Sequence, residues 1–189
     1  GPDRATRLLL TPHLTAAQKG ARIRRDLVRW ARWAIDQEPA IHYTQTPLRM
    51  GWVRAWRQSK RRLPLPAFED CSSSVTGLYC VVGAPDPNGQ AYSGFGYTGT
   101  MIDHCEQLPG PRAAMPGDLV IWSDPGGPSH HVCMVIDGAG TDNPTLYSHG
   151  WEGGPIEISF EAEHASQAGR GHSAVAWLTV PEMPDRRRP

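Results

Sequence analysis

No run of apolar residues in this 189-residue chain approaches the ~18 needed to span a bilayer; Leu8-Leu9-Leu10 and Val132 to Ile136 are among the longest. No charged-then-apolar leader stands at the N-terminus, so the chain reads as soluble, without an export signal and without membrane insertion. Internal repeats and a collagen-like glycine period are absent, which argues against arrays and fibres. No RNP or helix-turn-helix motif is present, so nucleic acid has no recognisable reader. The four cysteines, Cys71, Cys80, Cys105 and Cys133, form neither a CxxC pair nor a dense ladder, which argues against a zinc ribbon and a disulfide-stapled mini-fold. Net charge is zero as well, but as the sum of two unlike parts. Residues 1–62 hold 14 Lys+Arg against 4 Asp+Glu, and residues 63–189 hold 5 against 15. Such a dipole can steer the basic half toward an anionic polymer, or it can be a solvated helix face with internal salt bridges.

What is present suffices for one domain: 39% apolar residues with 7 Trp can fill a core. Ile23, Leu27, Trp30, Ala31, Ala34 and Ile35 recur at three- and four-residue spacing, with Arg22, Arg25, Arg29 and Arg32 around them, so an amphipathic helix is expected from Thr15 to Ile35, ending before Glu38-Pro39. A short helix at Trp52 to Arg57 lies within a long Pro-punctuated connection. Asp70 caps a second helix, Cys71 to Val82, which stops at Gly83 with Pro85 and Pro87 beyond. Residues 83–99 form a loop, and a short helix follows at Thr100 to Gln107. Strands are expected at Asp118–Trp122, His131–Asp137, Thr145–His149, Ile156–Phe160 and Ala174–Val180. Helices followed by a meander imply an α+β fold with the helices on one side of an antiparallel sheet. Gly1-Pro2 reads as a scar of a cleaved tag, and Pro181 to Pro189 as a frayed linker stump.

Cys71 falls on the first turn of its helix, where unpaired N–H groups and the dipole favour a thiolate. A cysteine nucleophile needs a base and an orienting group. Strand alternation sends His130 and His131 to opposite faces, so one of them is expected to matter for chemistry. Thr145, Tyr147 and His149 share a face, which can bring His149 beside His131 if their strands pair antiparallel.

Asp70-Cys71-Ser72-Ser73, then Pro116-Gly117-Asp118-Leu119-Val120, then His131-Val132, then His149-Gly150 resemble, in order and spacing, the motifs of the NlpC/P60 cell-wall cysteine peptidases in their phage-endolysin form. The resemblance covers about residues 21–180. It implies a papain-like NlpC/P60 fold with a sheet of about five to six strands, within a single catalytic domain at 3–180. The basic helical part would occupy 15–62, the nucleophile helix 71–82 and the sheet 118–180. It implies Cys71 as nucleophile, His131 as base and His149 as its orienting partner. Tyr43 would line the oxyanion side, with Asp70 and Ser72 contacting the stem peptide; the basic stretch 44–66 reads as an insertion. The implied reaction cleaves the γ-D-glutamyl to meso-diaminopimelate bond of peptidoglycan, with no metal or organic cofactor. The implied product is a monomer held in the host cytoplasm until a holin-like partner opens the membrane.

Other readings stand beside this one. A CHAP-type amidase or endopeptidase shares the Cys-His logic, and a non-catalytic module could use the basic half to bind wall polymers. Cys80 and Cys133 are expected in the core, and Cys105 is ambiguous. A zinc site from His104, Cys105, His130 and Cys133 fits no common ligand spacing. Trp30, Trp33, Trp52 and Trp56 read as core packing or as a glycan-stacking surface. Arg54, Arg57, Lys60, Arg61 and Arg62 are candidates for a phosphate-rich polymer.

Overall fold

The computed structural model describes residues 14–58, 63–151 and 153–185. The Gly1-Pro2 scar, the Lys60-Arg61-Arg62 run and residues 186–189 lie outside them. Helix α1 spans Ala16–Asp36 and opens on a capping box in which Thr15 accepts from the Gln18 N–H at 3.2 Å and donates its own backbone N–H to the Gln18 side chain at 2.9 Å. Its buried stripe is Gly20, Arg24, Leu27, Ala31 and Ala34, and its exposed arginines are partly paired, Arg22 and Arg29 with Asp26 and Arg32 with Asp137.

The connection that follows carries more structure than its prolines suggest. Strand β1 (Ile41–Tyr43) pairs in parallel with β2 (Ala67–Glu69), and helix α2 (Gly51–Arg57) lies between them in sequence. Trp52 is buried, donating its indole N–H to the Pro64 carbonyl at 3.1 Å. Helix α3 (Cys71–Val81) is buried along its whole length. Gly77 makes room for α2: a Cβ there would meet Trp52 Cε3 at 2.9 Å. Helix α4 (Thr98–His104) starts two residues before the expected Thr100 and ends three before the expected Gln107. The residues after it, Glu106–Leu108, form strand β3 because their backbone groups pair with Trp177–Thr179.

Strands β4 (Leu119–Ser123), β5 (Ser129–Asp137), β6 (Thr145–Ser148), β7 (Ile156–Ser159) and β8 (Ala174–Thr179) join β3 in an antiparallel sheet ordered β3-β8-β4-β5-β6-β7. The molecule is therefore α+β with a six-stranded antiparallel sheet. Leu119, Ile121, Val132, Met134 and Tyr147 pack with α1 and α3, as expected of the N-terminal helices. The helices are not confined to that side. Helix α5 (Phe160–Gly169) intervenes between β7 and β8, and its Phe160 covers Trp122, Val120 and Cys133 on the opposite face.

The Pro116-Gly117-Asp118 turn is held by charge as well as by shape. Asp118 is fully buried and accepts from Arg24 at 3.0 Å, Thr179 Oγ1 at 2.7 Å and the Met115 N–H at 2.9 Å. Gly117 has φ 88°, and a Cβ on it would meet Leu27 Cδ1 at 2.8 Å. Arg24 also pairs with Asp185 at 2.6 Å, and Met183 is buried. The expected linker stump is thus packed on the domain as far as Asp185, because an ion pair and an apolar anchor hold it to α1. Among the described residues, no helix is long and apolar enough to cross a membrane.

Candidate active site

Strand β2 delivers the chain to Asp70, which accepts from the Ser73 N–H at 2.7 Å while its own N–H donates to Ser73 Oγ at 2.8 Å. This box fixes Cys71 at the first helical position of α3. The Cys71 sulfur lies 3.9 Å from the His130 carbonyl oxygen, and the Val132 N–H donates toward it. Burial pushes the thiol up to about 12, and the Asp70 charge adds to the effect; the Val132 and Ser72 N–H groups and Arg49 only oppose it. The helix-start preference for thiolate expected from sequence is outweighed by desolvation.

Asp70 and Ser72 are joined by a residue that sequence reasoning missed. Arg49 Nη1 donates to Asp70 and to Ser72 Oγ, each at 3.3 Å, and its Nη2 donates to the Gly96 carbonyl at 2.6 Å. Nothing in the Pro47-Leu48-Arg49 lettering separates it from neighbouring cations. Arg54 and Arg57 instead donate to the carbonyls of Pro47, Leu48 and Ser93.

Tyr43 reaches the same neighbourhood despite its distance in sequence. The β1–β2 pairing sets it opposite Glu69, two residues before Cys71. Its ring packs edge-on against His149 at 5.7 Å between centroids and lies 5.5 Å from Trp151. His149 is buried, two residues beyond Tyr147, whose hydroxyl is hydrogen-bonded to Ser74 of α3. Neither ring nitrogen of His149 has a hydrogen-bond partner of normal geometry, although the Gly153 carbonyl lies close enough to favour a proton there. Burial pulls its pKa down to about 4, against the Asp70 charge and that carbonyl.

His131 goes elsewhere. Its Nε2 meets Ser148 Oγ at 3.0 Å, Cys133 Sγ at 3.2 Å and Glu163 Oε1 at 3.4 Å, and its ring lies 6.0 Å from that of Trp122. Burial pulls its pKa down to about 3, with Arg170, His149 and His172 acting in the same sense. No hydrogen bond joins Cys71 to His131 or to His149 among the described residues. The groups on the His131 ring nitrogen are Ser148, Cys133 and Glu163 rather than the expected His149. Tyr147 and His149 sit toward α3, whereas His131 follows Cys133 and Trp122 to the face under α5.

The expected split between His130 and His131 is corrected by one irregularity. Trp122 pairs with His131 but Ser123 pairs with Ser129, so His130 is an extra residue in β5. The bulge cancels the alternation, and both histidines line a cavity of about 570 Å³ shared with Tyr43, Glu163, Arg170 and His172. Glu163 was hidden from sequence reasoning because α5 itself was.

The remaining cysteines are settled by their neighbours. Cys80 and Cys133 are buried, and Cys105 Sγ donates to the Pro87 carbonyl at 3.4 Å. His104 pairs with Glu182, so the set His104, Cys105, His130 and Cys133 does not gather among the described residues. Comparison with protein-family models, with curated proteins and with solved structures finds no match for this chain.

Proposed function

We propose that this chain is a peptidoglycan hydrolase of the NlpC/P60 kind, an endolysin catalytic domain with the papain-like form of the α+β fold that cuts an amide bond of the stem peptide. One observation carries the reading: Cys71 opens a capped, buried helix, and its sulfur rests against the peptide groups of β5 that flank His131. The motif order supports it, and so does the approach of Tyr43, Asp70 and Ser72 to the same helix start.

On this reading the Cys71 thiol loses its proton to a histidine as the sulfur attacks the carbonyl carbon, and the N–H groups at the start of α3 receive the oxyanion. The imidazolium then protonates the leaving amine. Water, activated by the same ring, releases the acyl group and restores the thiol. Motif order gives the base role to His131, whose ring lies on the α5 side of the sheet against Ser148 and Cys133 rather than against Sγ; no metal or organic cofactor is needed. A second assignment gives this role to His149, favoured by its ring standing on the α3 side of the sheet against Tyr43. The γ-D-glutamyl to meso-diaminopimelate bond is the proposed target. The monomer acts from the host cytoplasm once a holin-like partner opens the membrane, and the basic N-terminal half approaches anionic wall polymers.

Mass spectrometry of muropeptides released from purified walls tests the reading. Products ending in γ-D-glutamate support it. Sugar-linked lactyl groups freed of peptide would mean the CHAP-type amidase, and binding without release would mean a wall-binding module.

A further inference from the structure

At the rim of the 570 Å³ cavity stand His130 in the β5 bulge and His172 between α5 and β8, and both meet Asp124, which follows β4. His172 Nδ1 lies 2.8 Å and His130 Nε2 lies 3.1 Å from the same oxygen, Asp124 Oδ1. The two imidazoles are stacked, with centroids 3.8 Å apart and planes 23° apart. We infer that Asp124, His130 and His172 form a binding site for a divalent transition cation of the zinc class, with an open coordination position facing the cavity.

The spacing is the first reason. Ligand atoms about 2.1 Å from a tetrahedral ion stand about 3.4 Å from one another, so the observed separations need only small outward movements. The donor set is the second. Two neutral imidazoles and one carboxylate suit zinc and its neighbours, while calcium and magnesium prefer all-oxygen shells. Three protein ligands with a fourth place open is also how catalytic zinc sites are built, whereas structural ones are closed.

A competing set lies nearby. Cys133 Sγ and Glu163 Oε1 both approach His131 Nε2, but that group is buried, and it contains a thiol that the rim set lacks. The two are distinguishable by titration. Zn²⁺ added to the full chain should bind at one equivalent, about 100-fold more weakly or less in His172→Ala and Asp124→Asn, and unchanged in Cys133→Ser. The Co²⁺ form should show ligand-field bands without a thiolate charge-transfer band. Circular dichroism of each variant confirms folding, and a folded His172→Ala that still binds one equivalent overturns the site. So does loss of binding in Cys133→Ser, or no stoichiometric binding by the wild type. Wall hydrolysis is not read in this experiment, so its outcome is independent of the nucleophile assignment.

Discussion

The sulfur of Cys71 lies 3.9 Å from the carbonyl oxygen of His130, and among the described residues no hydrogen bond joins it to an imidazole. The thiol is kept uncharged, since burial holds it near 12 while His131 and His149 sit near 3 and 4. A thiolate–imidazolium pair is absent from this state.

That state has a chemical signature. A thiol whose pKa is raised gains thiolate about tenfold per pH unit until that pKa is reached. Alkylation of Cys71 by iodoacetamide, followed by peptide mass spectrometry, should rise through pH 6 to 9 without levelling. A plateau below pH 7 would show a preformed ion pair and contradict the resting state.

The histidines divide the catalytic assignment. Removing a general base typically costs ~10²–10⁴-fold in rate. His131→Ala should therefore abolish measurable muropeptide release, His149→Ala should give an intermediate loss, and His130→Ala should retain most of it. An active, folded His131→Ala beside an inactive, folded His149→Ala would transfer the base role to the residue on the α3 side.

Stability depends on the ion-pair cluster behind the Pro-Gly-Asp turn. Arg24→Ala leaves Asp118 buried without its cation, which typically costs about 3–5 kcal/mol. It also releases Asp185, and with it the anchored tail. Urea unfolding should show a loss of that size. A loss under about 1 kcal/mol would mean that Thr179 and the Met115 N–H satisfy Asp118 alone.

The elements legible in the sequence are those decided locally. The Thr15 and Asp70 caps and the spacing of Leu27, Ala31 and Ala34 specify α1 and α3 without help from the rest of the chain. What was not legible depends on partners. The extra residue at His130 exists only in the pairing of β4 with β5. The short strands β1, β2 and β3 are set by the strands beside them. Helix α5 offers few large apolar side chains beyond Phe160, so its periodicity is faint, and Glu163 and its contact with His131 were lost with it. Alternation sets His130 and His131 on opposite faces and, with antiparallel pairing, His149 beside His131; the β5 bulge and the Ser148 contact lie beyond its reach.

The central claim is that Cys71 carries hydrolysis of wall peptide. Turbidity clearing of purified walls by the wild type, set beside Cys71→Ala checked for folding and for wall binding, tests it most directly. The account predicts clearing by the wild type and its loss in Cys71→Ala with binding retained; equal clearing by both proteins, or binding without clearing by either, would contradict it.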